Sequence, residues 1–146
     1  KLKKKLPKYI SKFPIDKNEV TDAILSNKNN LKKIINIVHL EVRKQMKLFL
    51  NKNKNKKIVI LDVPLLLENK ISNKKDILIF VDSKKSEIEK RIKKRSNFND
   101  KLLKKFKKIQ YPSSYKKRKS HFVIKNNFTK KSVKRDIQYI LNRIHK

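Results

Sequence analysis

Residues 57–82 read K-I-V-I-L-D-V-P-L-L-L-E-N-K-I-S-N-K-K-D-I-L-I-F-V-D. Two short apolar, β-branched runs, residues 57–61 (KIVIL) and 77–81 (ILIFV), each stop at an aspartate, Asp62 and Asp82. Runs of this kind, with no polar alternation, are the pattern of strands buried on both faces of a parallel sheet. A third short run at residues 122–124 is followed by Asn126. Helical periodicity fills the intervals, and strands separated by helices imply an α/β fold with a parallel sheet. Ligands of such sheets sit beyond the carboxyl ends of the strands. Asp62, Asp82 and Asn126 fall there.

The helices are legible in both directions from this stretch. Asp16 stands where a helix N-cap belongs, with Glu19 three residues on as its capping-box partner, and Val20, Ala23 and Ile24 supply an apolar side. Asn and Lys at 27–30 break that helix. The next is the longest, with Leu31, Ile34, Ile35, Val38, Val42, Met46 and Phe49 at three- and four-residue steps. The polar tract 51–57 reads as a loop. Beyond the second strand, Ser83 is placed to cap a helix carrying Ile88 and Ile92. Another carries Leu102, Leu103, Phe106 and Ile109, and Thr129 precedes a last one with Val133, Ile137, Leu141 and Ile144 in phase. The opening 14 residues are basic and broken by Pro7 and Pro14.

Composition narrows the function classes. A chain of 146 residues suits one domain. It lacks an apolar run of about 18–20 residues, so no membrane span is expected, and no apolar core follows the basic start as a signal peptide requires. With no cysteine, disulfides and Cys-based zinc sites are excluded, and a cytoplasmic setting is the default expectation. The formal charge of +31 suits a nucleic-acid binder. The lysines, however, are spread along the whole chain beside many Asn and Ile. The aromatics are scattered with no stacking cluster, and no helix-turn-helix or zinc spacing occurs. Composition bias explains the charge without a specific nucleic-acid partner.

Glycine is absent altogether, against an average usage of about 7%. A loop that wraps a phosphate presents backbone N–H groups at dihedral angles glycine reaches cheaply, and the Walker A pattern contains two glycines. None of these residues forms that loop. The chain also opens on Lys1 rather than Met, so a fragment is expected.

Four motifs in order carry a family resemblance: I-D-K-N-E-V-T-D-A-I-L from Ile15 with L-K-K-I-I-N-I-V-H-L-E-V from Leu31, then D-V-P-L-L-L-E from Asp62, then Q-Y-P-S-S-Y-K from Gln110, then F-V-I-K-N from Phe122. Together they resemble the dephospho-coenzyme A kinases over nearly the whole chain. The resemblance implies a P-loop kinase fold: a parallel sheet with flanking helices, a helical substrate-binding part at 1–56, core segments at 57–82 and 121–146, and a lid region at 83–120. The chain would then be one incomplete domain of 146 residues. Its first strand, P-loop and catalytic Asp would precede Lys1, in a missing unit of roughly 30 residues or more. The resemblance further implies transfer of the ATP γ-phosphoryl group to the ribose 3′-hydroxyl of dephospho-CoA with Mg²⁺.

Site residues follow from the same resemblance, each beside a plainer reading. Arg91 and Arg95 would start the lid, Arg91 packing on the adenine and Arg95 stabilising phosphate charge. The chain has only six arginines, and two of them one helical turn apart suggest that the guanidinium fork matters there. Lys116 and Gln110 match the lid motif, with Lys117 and Arg118 adjacent. Asn126 would bond the adenine edge, or only form an Asx turn. His39, Arg43, Asp62 and Glu68 would face the acceptor substrate. Alternatively, His39 is a half-buried helix residue and Asp62 and Glu68 are turn caps. Four residues depart from the family pattern: Leu40 replaces a proline after His39, Lys17 replaces an arginine, and Ser120-His121 replace Ala-Asp. The alternatives are a basic nucleic-acid module and a non-catalytic relative of the kinase.

Overall fold

The structure, a computed structural model, describes residues 1–144. Among them are seven helices and two strands, packed as two compact units. The first comprises Lys1–Ile71 with Asp100–Lys108, and the second Ser72–Asn99 with Ile109–Lys146, described as far as residue 144.

The first unit is helical. Helix α1 (Leu2–Lys5) is a single turn, α2 spans Lys17–Ser26, α3 spans Lys28–Lys52 and α5 spans Asp100–Ile109. Its core is Leu6, Ile10, Ala23, Ile24 and Ile34, ringed by Leu31, Leu102 and Phe106 among others. Two core residues thus come from the basic N-terminal segment. Asp16 caps α2 as its position predicts, its Oδ1 accepting from the Asn18 N–H at 2.8 Å. Glu19 does not serve chiefly as the capping-box partner. Its carboxylate accepts from the Ser11 hydroxyl and from the Ser11 N–H at 3.1 Å, tying the preceding loop to the first turn of α2. Those bonds, the hydroxyl's first, hold the Glu19 carboxyl below its usual range.

Helix α2 ends without the glycine that commonly closes a helix. Its last carbonyls are met by side chains instead. Buried Asn30 donates Nδ2–H to the Ala23 carbonyl at 2.8 Å, Ser26 Oγ donates to the same oxygen at 3.2 Å, and Lys105 Nζ on α5 donates to the Ile24 carbonyl at 2.6 Å. An ammonium at a helix C-terminus also complements the helix dipole. Replacing Lys105 by Met keeps the bulk and removes both effects. We expect Lys105→Met to cost about 1.5–3 kcal/mol, the range of a charge-assisted hydrogen bond, read as a lower urea midpoint at unchanged slope.

The second unit holds the sheet. Strand β1 (Ile79–Asp82) pairs in parallel with β2 (Phe122–Lys125), in the register Ile79↔Phe122 to Asp82↔Lys125. Helix α7 (Lys130–Ile144) packs on β2, burying Ile124 and Ile140, while α6 (Ser113–Lys119) lies against β1 and α4 (Lys85–Lys93) follows it. The N-cap of α4 is Lys84 with no side-chain bond, so Ser83 is not the cap its position suggests.

The strand expected at 57–61 does not form. Residues 58–63 have no regular structure and pair with no neighbour among the described residues, leaving Ile60 82% exposed. An apolar run becomes a strand only when an adjacent backbone takes its N–H and C=O groups. The double-sided burial expected of β1 is also absent, since Val81 is 54% exposed.

The glycine-free chain still turns sharply. Leu65, Lys70 and Phe128 take positive φ of 57°, 50° and 63°, the left-handed region that side chains disfavour.

Candidate functional site

In the second unit the two strands end side by side. The Asn126 N–H donates to the Asp82 carbonyl at 2.7 Å, carrying the pairing past β2. The Asn126 Oδ1 then accepts from the Phe128 N–H at 2.9 Å, which is an Asx turn. Phe128 is thereby turned back over α4, where the guanidinium carbon of Arg91 lies 4.5 Å above its ring centroid. The Asp82 carboxylate meets Lys117 Nζ at 3.1 Å with both side chains well exposed, a pair that stabilises by no more than about 1 kcal/mol.

The remaining lid candidates are spread over the same unit. Arg95 sits in the turn that closes α4, its N–H donating to the Ile92 carbonyl at 3.1 Å and its side chain exposed. Lys116 is half-buried on α6, and its carbonyl accepts from Ser120 Oγ at 2.9 Å. Arg118, on the same helix, lies 5.7 Å over the Tyr115 ring. His121 fills the place where an acidic residue was expected, and it extends the ladder. Its N–H donates to the Leu78 carbonyl at 2.8 Å, and its Nδ1 accepts from the Leu78 N–H at 2.9 Å. The His121 side chain thus takes part in the ladder just before the regular register begins.

In the first unit, α3 presents the acceptor-side candidates. His39 is half-buried, and Arg43, one turn on, donates Nη2–H to the Asn69 carbonyl at 2.8 Å. That bond fastens α3 to the turn at 64–70, which is closed by the Asn69 N–H to the Leu65 carbonyl at 3.0 Å and flanked by the left-handed Leu65 and Lys70. Glu68 lies half-buried in this turn, and Asp62 stands exposed just before it. Arg43 and the D-V-P-L-L-L-E motif, far apart in sequence, are therefore joined.

An open cavity of about 560 Å³ lies between β2 and α7, lined by Phe122, Lys125, Arg135, Asp136 and Tyr139 among others. Asp136 there accepts from the Lys125 N–H at 2.9 Å. The cavity includes none of the candidate residues, and its polar groups hold α7 to the strand. Among the described residues no group of three or more His, Asp or Glu stands ready to hold a metal, and no helix is long and apolar enough to cross a membrane. Phe128 is not singled out by residue type, whereas Lys117 stands beside Lys116 among the lid cations. The two consecutive asparagines before Phe128, an Asx-turn signal, are what could have pointed to it.

A parallel strand pair with helices around it, ending in Asp82 and Lys125 with Asn126 just beyond, is an α/β arrangement with a solved counterpart. Over 97% of this chain and 74% of the other, the fold matches the crystal structure of TT1252 from Thermus thermophilus at a TM-score of 0.71 and 22% identity. The family model described as dephospho-CoA kinase matches residues 12–132. The chain belongs to the dephospho-CoA kinase family. Curated relatives of that name include one from Wolbachia sp. subsp. Brugia malayi, 29% identical over 95% of this chain and 72% of its own length. Another, from Fusobacterium nucleatum, is 33% identical over 77% of this chain and 58% of its own.

Proposed function

We propose that these residues carry the acceptor-binding and lid functions of a dephospho-CoA kinase. In that reaction the ribose 3′-oxygen of dephospho-CoA bonds to the γ-phosphorus of ATP, the bond from that phosphorus to the β–γ bridging oxygen breaks, and the hydroxyl proton leaves. The observation that carries the reading is the joining of Arg43 to the D-V-P-L-L-L-E turn by its bond to Asn69, within a chain of this family.

Phosphoryl transfer needs positioning and charge stabilisation more than covalent chemistry. On this reading Arg91, Arg95 and Lys116 are cations for the nucleotide, with Asn126 setting the backbone beside it. His39, Arg43, Asp62 and Glu68 face the acceptor. When bound, Mg²⁺ neutralises charge across the transferring phosphates. It is usually held through one or two carboxylates together with the phosphates, and among the described residues no cluster of carboxylates stands ready for it.

Calorimetric titration of dephospho-CoA at about 0.15 M salt tests the reading, with CoA and duplex DNA as competitors. Dephospho-CoA is expected to bind, and Arg43→Ala to weaken it roughly tenfold or more, the scale of a lost charge-assisted hydrogen bond. The +31 charge makes the competing nucleic-acid reading worth a direct arm. Binding of DNA in preference to dephospho-CoA, persisting as salt rises, would replace the proposal with that alternative.

A further inference from the structure

Phe128 is an unusual residue to find in its own conformation. Its φ of 63° lies in the left-handed region, where a bulky side chain is strongly disfavoured. It remains 40% exposed, so burial of its ring does not account for the arrangement. What the strained turn achieves is placement. The Asx bond from Asn126 fixes the Phe128 N–H at 2.9 Å, and the ring is set 4.5 Å from the Arg91 guanidinium carbon. Strain held in place by specific bonds, with an exposed functional group as its beneficiary, points to function rather than to packing.

An arginine on an exposed helix samples many rotamers, and stacking on an aromatic face restricts them. A guanidinium held over a ring on one side leaves its other side to a second planar group. The neighbouring strand ends, Asp82 and Asn126, are where an α/β sheet receives its ligand.

We infer that Phe128 is a positioning residue: its ring holds Arg91 so that the guanidinium stacks on the purine base of the nucleotide. This rests on the proposal that Arg91 belongs to the ATP side of the site. Phe128 acts through Arg91 and touches none of the reacting atoms. Its effect is therefore confined to the base and does not extend to the phosphates.

The test is equilibrium binding of a fluorescent ADP analogue to the full-length protein at about 0.15 M salt, with ADP and inorganic pyrophosphate as competitors, for wild type, Phe128→Leu, Phe128→Tyr and Arg91→Ala. Phe128→Leu is expected to weaken ADP by about two- to fivefold, the range of an exposed cation–π contact, and to leave pyrophosphate unchanged. Phe128→Tyr is expected to restore wild-type affinity. In an Arg91→Ala background, Phe128→Leu is expected to have no further effect. If wild type binds ADP and Phe128→Leu binds it equally well, or if the loss extends to pyrophosphate, the positioning role is overturned while the nucleotide site stands. Should wild type prefer pyrophosphate to ADP, the nucleotide reading falls and the inference falls with it.

Discussion

Residues 1–146 given ATP, Mg²⁺ and dephospho-CoA are expected to form no 3′-phosphorylated product above background. Kinases hold the transferring phosphates with a wrap of backbone N–H groups, which sit in a conformation that glycine adopts without penalty. The chain has no glycine and no Walker A pattern. Losing a single donor of this kind costs an enzyme about 10²–10³ in rate. Losing the whole wrap removes several donors together. The basic residues at hand, Arg91, Arg95 and Lys116, supply charge but not that enclosing geometry. The check is a coupled assay at saturating substrates. Turnover approaching the roughly 1–100 s⁻¹ usual for kinases would mean that some segment of these residues cradles the phosphates without glycine, and the expectation would be wrong.

The second large effect concerns folding. Ile10 is wholly buried and joins Leu6, Ala23, Ile24 and Ile34 in the core of the helical unit. Truncating such a side chain to alanine removes its transfer free energy and leaves a cavity, costing about 2–5 kcal/mol. Net stabilities of about 5–15 kcal/mol are usual, and a small glycine-free unit has no reason to lie at the upper end. Ile10→Ala is therefore expected to unfold a substantial part of the first unit near 37 °C, seen as a large drop in melting temperature or as lost helical dichroism. A melting temperature within a degree or two of wild type would show that the N-terminal segment is not part of the cooperative core.

Ile10 also marks what was hard to read in advance. The segment around it, with lysines on either side and two prolines, has no helical or strand period, so its burial follows from tertiary packing alone. Long periodic segments were plain: the apolar positions of α3 and α7 recur over enough turns to outweigh local preference. Short apolar runs were not. The run at 77–81 yields a strand that starts two residues later and ends one later, Ile79–Asp82, because Leu78 is engaged by His121 before the regular register begins. The run at 57–61 yields none, because a strand is a property of two backbones and this one has no neighbour among the described residues. At the candidate site, the strand-end places of Asp82 and Asn126 follow from the unbroken apolar runs before them. The Arg91–Phe128 stack does not. It depends on a phenylalanine adopting angles that its own side chain opposes, and only the paired asparagines hint at it.

Those left-handed residues, Leu65, Lys70 and Phe128, have a consequence for how the protein can change over generations. Each carries a penalty of about 1–2 kcal/mol that a glycine would not. The sum is comparable with the lower end of ordinary net stability. The chain makes these corners without the residue that forms them most cheaply, so the remaining tolerance for interior substitution is narrow. Variation is then pushed outward. Solvent-facing positions can change to lysine or asparagine at little cost, while a change at buried Ile10, Asn30 or Ile124 would cost the fold far more.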